Sequence, residues 1–161
     1  GAPPPGPPEV FRDQRSEAGR VHAGAATFRD DGAKFFLEIA EHCDLQAEWV
    51  LSETGEGWCR IPTQDGLAWD CTMELVNEDE LWFGVGGFFT LSLFPATDQE
   101  RDFRAIVAGF LCGQSRIRVR WGRAFLESPD GGRWKIEARY TGVRWHGWRE
   151  RILFKDGERA A

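Results

Sequence analysis

Apolar side chains first recur at a helical interval between Phe36 and Ala47. Phe36, Ile39, Ala40, Cys43 and Ala47 stand at i, i+3, i+4, i+7 and i+11 and share one face, while Lys34, Glu38, Glu41 and Glu48 fall elsewhere. The short polar side chains between Thr27 and Asp31 suit the free N–H groups of a helix start. The pattern predicts a helix from there to about Trp49.

The period then changes from helical to alternating. Gln64-Asp65-Gly66 suits a three-residue hairpin loop with Gly in the left-handed position, which sets Thr63 opposite Leu67, Ile61 opposite Trp69 and Cys59 opposite Cys71. The polar stretch Asn77 to Glu80 is read as a second such loop, pairing Leu75 with Leu81, Met73 with Phe83 and Cys71 with Val85. From Leu81 to Phe94 one long strand is expected. Its odd positions continue inward through Phe89, Leu91 and Leu93, and its even positions carry Trp82, Gly84, Gly86 and Phe88. Gly86-Gly87 marks a bulge or bend within it.

Thr97-Asp98-Gln99-Glu100 after Pro95 has the form of a capping box, opening a second helix whose buried stripe is Phe103, Ile106, Val107 and Phe110, with Gly113 as the C-terminal cap. Arg116 to Trp121 alternates strictly, placing Ile117, Val119 and Trp121 on one face and Arg116, Arg118 and Arg120 on the other. A turn around Ser128-Pro129-Asp130-Gly131-Gly132 leads to a strand with Trp134, Ile136, Ala138 and Tyr140 inward, and Val143 to Phe154 reads as a last strand interrupted near Gly147. The order α-β-β-β-α-β-β-β, with a final strand, gives an α+β fold in which two helices pack on one face of a mostly antiparallel sheet.

Composition sets the limits of this domain. The chain has 161 residues, which suits one domain, and five of its eight Pro lie in Gly1 to Pro8. Residues 1–27 are expected to form a flexible Pro-rich tail ahead of a single α+β domain over 28–161. The net charge of −6 hides a division: 19 acidic against 6 basic side chains up to Glu100, and 7 against 14 from Arg101 onward. The acidic total disfavours a nucleic-acid or anionic-membrane partner, and no membrane span fits the hydropathy. Four cysteines without a C-x-x-C pair lead to an expectation of reduced thiols in the cytoplasm, with Cys59 and Cys71 facing each other as small core side chains.

Catalytic chemistry finds little support in these residues. The imidazoles are His22, in the expected tail, His42, which diverges from its neighbour Cys43 by about 100° on a helix, and His146. No zinc spacing such as C-x-x-C or H-E-x-x-H occurs, and Gly84-Val85-Gly86-Gly87 is not followed by the Lys-Ser/Thr of a phosphate loop. No catalytic residue, metal ligand or cofactor is assigned.

What the alternation does produce is a surface. With helices on one face of the sheet, the other carries Trp82, Phe88, Arg116, Arg118 and Arg120, residue types enriched at interaction hot spots. Two readings stand side by side. The face receives a protein partner or a second copy of the chain, or the arginines pair with Asp70 and Glu74 as a solvated ladder.

Between Phe35 and Trp121 the element order resembles the type III secretion chaperones and the related YbjN-like domains. The elements that carry the likeness are an amphipathic helix, the strands Trp58-Cys59-Arg60-Ile61, Asp70 to Val76 and Leu81 to Pro95, a second helix and a further strand. Those families are small acidic α+β dimers without catalysis that bind partner segments along their surface, so the resemblance implies a protein-binding role. The basic stretch after Arg123 departs from their usual ending in a helix. The expected function is a non-enzymatic protein-binding module of chaperone, adaptor or immunity type. The alternative is a small-molecule carrier or enzyme with a pocket between the helices and a bent sheet near Gly86-Gly87, walled by His146 or Cys71.

Overall fold

Ten strands and two helices make up the described part of the chain, residues 32–141 and 149–160 of a computed structural model. The expected tail over 1–27, the start of the first helix and the 143–148 part of the last expected strand lie outside these residues. Helix α1 occupies 32–42. Strands β1 (Glu48–Leu51), β2 (Gly57–Ile61), β3 (Cys71–Val76), β4 (Glu80–Val85) and β5 (Phe89–Leu93) follow. Helix α2 (Ala96–Leu111) precedes β6 (Arg116–Arg120), β7 (Arg123–Asp130), β8 (Arg133–Thr141), β9 (Arg151–Phe154) and β10 (Gly157–Arg159).

The α+β class and the order of elements are those expected, and the strands close into two antiparallel sheets of five. The first runs β1-β2-β3-β4-β5 and the second β10-β9-β6-β7-β8. Two local changes create the extra strands of the first sheet. Asp44 takes a left-handed conformation (φ 56°) and ends α1 early. Trp49, expected in the helix, therefore lies in β1, where its ring stacks on Phe36 at 6.3 Å. The long strand expected from Leu81 folds back at Gly86 (φ 51°) and pairs with itself, Val85 facing Phe89 and Leu81 facing Leu93. A three-residue connection conserves parity, so Phe89 and Leu91 stay on the buried face.

Register in the first sheet mixes agreement and correction. Leu75 pairs with Leu81, Met73 with Phe83 and Cys71 with Val85, as the apolar pattern requires. In the preceding hairpin the pairing is shifted by two residues: Ile61 faces Cys71 and Cys59 faces Met73. The turn is tighter than expected, with Gln64 bridging Leu67, and the strands lose pairing until Cys71. An even shift leaves every side chain on its face, which is why burial alone could not distinguish the two registers.

Both helices cover one face of the first sheet. Phe36 and Ile39 from α1 and Phe103, Val107 and Phe110 from α2 join Cys59, Ile61, Met73 and Phe83 in one core. Phe103 lies 6.0 Å from Phe36, and Phe110 lies 6.2 Å from Phe83. Each such fully buried Phe contributes roughly 1.5–3 kcal/mol of transfer free energy. Ile117, Val119, Ala124, Leu126 and Leu153 bring the inner face of the second sheet into the same core. The two sheets also meet where the Trp69 indole N–H donates to the Phe154 carbonyl at 2.6 Å.

The expectation of free thiols throughout is corrected. Cys43, at the end of α1, is disulfide-bonded to Cys112, just past α2, while Cys59 and Cys71 are buried and free. The capping box is corrected as well. Helix α2 begins at Ala96 with Pro95, which has no side-chain cap to offer, at the N-cap position, so Thr97 already lies inside the first turn. Gly113 takes the expected left-handed position after the helix (φ 83°).

Candidate interaction face

Alternation along β6 sends Ile117 and Val119 into the core and Arg116, Arg118 and Arg120 to the opposite face of the second sheet. Cross-strand pairing then decides what the arginines meet. Arg116 faces Glu127 and Arg118 faces Phe125 on β7, and Arg118 faces Ile152 on β9.

Glu127 is 3% exposed, and it is held by two guanidinium groups. Arg116 Nε donates to its Oε2 at 2.9 Å and Arg118 Nε to its Oε1 at 2.8 Å. Arg118 also reaches Glu150 at 3.2 Å. The solvated ladder expected with Asp70 and Glu74 is corrected: Arg116 and Arg118 pair with Glu127, and Arg118 also with Glu150. Asp70 instead lies 3.9 Å from Arg60. Partial burial acts to lower the Arg118 pKa, but the hydrogen bonds that Arg118 donates to Glu127 and Glu150, with the charges of those carboxylates, outweigh it and the net shift is upward.

A β-bulge changes the content of this face. Leu126 pairs with Ala138 but Glu127 pairs with Ile136, so Glu137 is the extra residue on β8. Ala138 and Tyr140 therefore keep the inward orientation expected of them, whereas Trp134 and Ile136 are carried to the outer face with Glu127. Trp134 is 39% exposed, and the Arg116 guanidinium lies 4.0 Å from its ring centroid.

At the β6–β7 end the expectation for Trp121 is also overturned. It is not an inward strand residue: Trp121 (φ 51°) and Gly122 (φ 70°) form a two-residue turn, and the indole is 59% exposed. A Gly directly after it, between two alternating runs, was the available turn signal. The Arg120 guanidinium lies 4.3 Å from the Trp121 ring, and Arg118 lies 4.9 Å from Phe125. With Arg123 these residues line a shallow depression of about 470 Å³. Among the described residues, neither Arg120 nor Arg123 has a carboxylate within ion-pair distance.

The five residues singled out from alternation are divided between the sheets. Arg116, Arg118 and Arg120 share one face of the second sheet. Trp82 stands on β4 of the first, 36% exposed, on the wall of a groove of about 480 Å³ between β5 and the end of β8. Phe88 lies in the β4–β5 turn, edge-on to Trp69 at 5.3 Å with the Arg151 guanidinium 4.7 Å from its ring.

The residues of the alternative pocket are placed as follows. Cys71 is fully buried among core side chains, and burial pushes its thiol up to about 12, as it does that of Cys59. Both thiols thus stay protonated near neutral pH, a poor state for nucleophilic attack. A side chain at Gly87 would meet nothing within 4 Å, so that position faces open space, and neither Cys71 nor Gly86-Gly87 lines the hollow of about 640 Å³ that α2 forms with β5, β7 and β8. His146 lies outside the described residues. Among the described residues no group of three His, Cys, Asp or Glu could hold a metal ion, and no helix is long and apolar enough to cross a membrane.

Comparison with protein-family models, with curated proteins and with solved structures returns no match for this chain.

Proposed function

We propose that the chain is a non-enzymatic protein-binding module, of the chaperone, adaptor or immunity type, whose second sheet receives an acidic partner segment on its basic aromatic face. The observation that carries this reading is the β6–β7 turn. Trp121 is 59% exposed beside Arg120 and Arg123, two cations with no carboxylate of the described residues to neutralise them. An exposed indole and uncompensated guanidinium groups are the components of an interaction hot spot. Arg116 and Arg118 have a different task, since Glu127 holds them against the sheet and they orient Trp134 and Phe125.

The test uses a fluorescent peptide of about sixteen residues, alternating Glu and Val, which spans up to about 50 Å when extended. Binding to the full chain is expected, weakening as salt screens the arginines. Arg120→Glu combined with Trp121→Ala should weaken it by about tenfold or more, with the melting temperature held because both side chains are at the surface. Absence of binding at low salt, or binding indifferent to the double substitution, overturns the proposal.

A further inference from the structure

Strand β8 is the outer strand of the second sheet and, at nine residues, longer than the outer strands β1, β5 and β10. One side of its backbone bonds to β7. Its C-terminal half lies against β5, where Phe89 and Tyr140 meet at 6.4 Å. Its first half has no such cover: Arg133, Trp134, Lys135 and Ile136 are all exposed. Among the described residues no hydrogen bond reaches the outward backbone groups of these four. A run of free N–H and C=O groups in strand geometry is a template for a further strand.

The charges on this edge select its occupant. Arg133, Lys135 and Arg139 stand along β8 against one carboxylate, Glu137, whose Oε1 accepts from Ser128 at 2.5 Å and lies 3.4 Å from Lys135. A second copy laid antiparallel on the stretch before the bulge, about Trp134 or Lys135, would bring cation against cation, Arg133 against Lys135 or Lys135 against itself, and the bulge at Glu137 would interrupt its ladder. An acidic strand meets neither obstacle in the stretch before the bulge. Its apolar positions would rest on Trp134 and Ile136, which the bulge has turned to the outer face together.

We infer that the Arg133–Glu137 edge of β8 takes up an extended acidic segment of a protein partner as an added strand. This rests on the protein-binding reading above and adds a second point of hold for the same partner, at the other end of β7 and β8 from the Trp121 turn: main-chain hydrogen bonds, with the charges setting which segment is accepted.

The experiment compares this Glu-Val peptide, long enough in extended form to reach from the Trp121 turn to the Arg133 edge, with the same peptide N-methylated at alternate amides, which keeps its charge and side chains but removes the donors on one edge and blocks close approach. Support is a loss of about tenfold or more on methylation, together with loss of binding in Arg133→Glu/Lys135→Glu, whose substitutions are at the surface. Equal binding of the two peptides overturns the added strand while leaving the protein-binding reading in place. Failure of both peptides to bind overturns both. A chain that sediments as a dimer, and becomes monomeric on Ile136→Pro, has this edge filled by its own copy, and the inference then falls.

Discussion

Asp79 caps a helix that begins seventeen residues further along the chain. Its Oδ1 accepts the backbone N–H of Ala96, the first residue of α2, at 3.0 Å, and its carbonyl oxygen accepts the same N–H at 2.8 Å. The turn between β3 and β4 thereby does what the local Thr97 and Glu100 were expected to do.

Asp79→Ala should therefore lower stability by about 1 kcal/mol, the usual cost of a lost cap. Thr97→Ala should cost much less, since Thr97 makes no cap hydrogen bond. Urea denaturation of the two variants checks this; a larger loss for Thr97→Ala would refute it.

Glu127 is a buried carboxylate of the second sheet held by two arginines. Glu127→Ala leaves Arg116 and Arg118, whose side chains are only 20% and 23% exposed, without their common partner. A loss of about 3 kcal/mol is expected, in the range for breaking a buried ion pair. Glu127→Gln should recover part of it, because an amide oxygen still accepts one guanidinium N–H. Thermal unfolding monitored by near-ultraviolet circular dichroism distinguishes the two.

The Cys43–Cys112 bond closes a loop of 69 residues between the ends of the two helices. Chain-entropy arguments give about 4 kcal/mol for a loop of this length. Cys43→Ala/Cys112→Ala should lower the denaturation midpoint, and a reducing agent should destabilise the parent chain but not this variant. Of the thiols, Cys59 and Cys71 should react with a disulfide-exchange reagent only as the chain unfolds, because both are inaccessible and held protonated.

Glu74 offers a pH test. Burial, with the nearby Glu56 adding to it, raises the Glu74 carboxyl above its ordinary value. At low pH both folded and unfolded chains keep this proton. As pH rises through the ordinary carboxylate range the unfolded chain releases it first, so this residue's contribution to stability is lost by the time the folded carboxyl has ionised. Glu74→Gln should accordingly stabilise the chain near pH 7, with the gain shrinking towards about pH 4. A gain that grew on acidification would contradict this assignment.

Much of the first sheet could be read from alternation because its information is local. Leu75, Met73 and Cys71 and their partners Leu81, Phe83 and Val85 are apolar at every second position, and a slip of one residue would have exposed them all. The same rule explains the errors. A shift of two residues at Ile61, or a fold-back at Gly86 through a three-residue connection, changes no side chain's face and so leaves no trace in the pattern. On the second sheet the outward arginines were legible, but Trp121 and Trp134 were assigned inward. One is a turn residue and the other sits before a bulge, and both events break the period without changing composition.

The sequence by itself determined the α+β class, the order of the elements and which faces of β3, β4 and β6 are apolar, because these follow from periods of two and 3.6 residues along a short stretch of chain. Tertiary structure decided the rest. The division into two sheets, the capping of α2 by Asp79, the joining of Cys43 to Cys112 and the clamping of Glu127 between two arginines each depend on residues far apart in the chain. So does the candidate face, since the bulge that brings Trp134 beneath Arg116 is defined only by the pairing of β7 with β8. Long-range pairings are selected by the packing of the whole core, and no window along the chain contains both members.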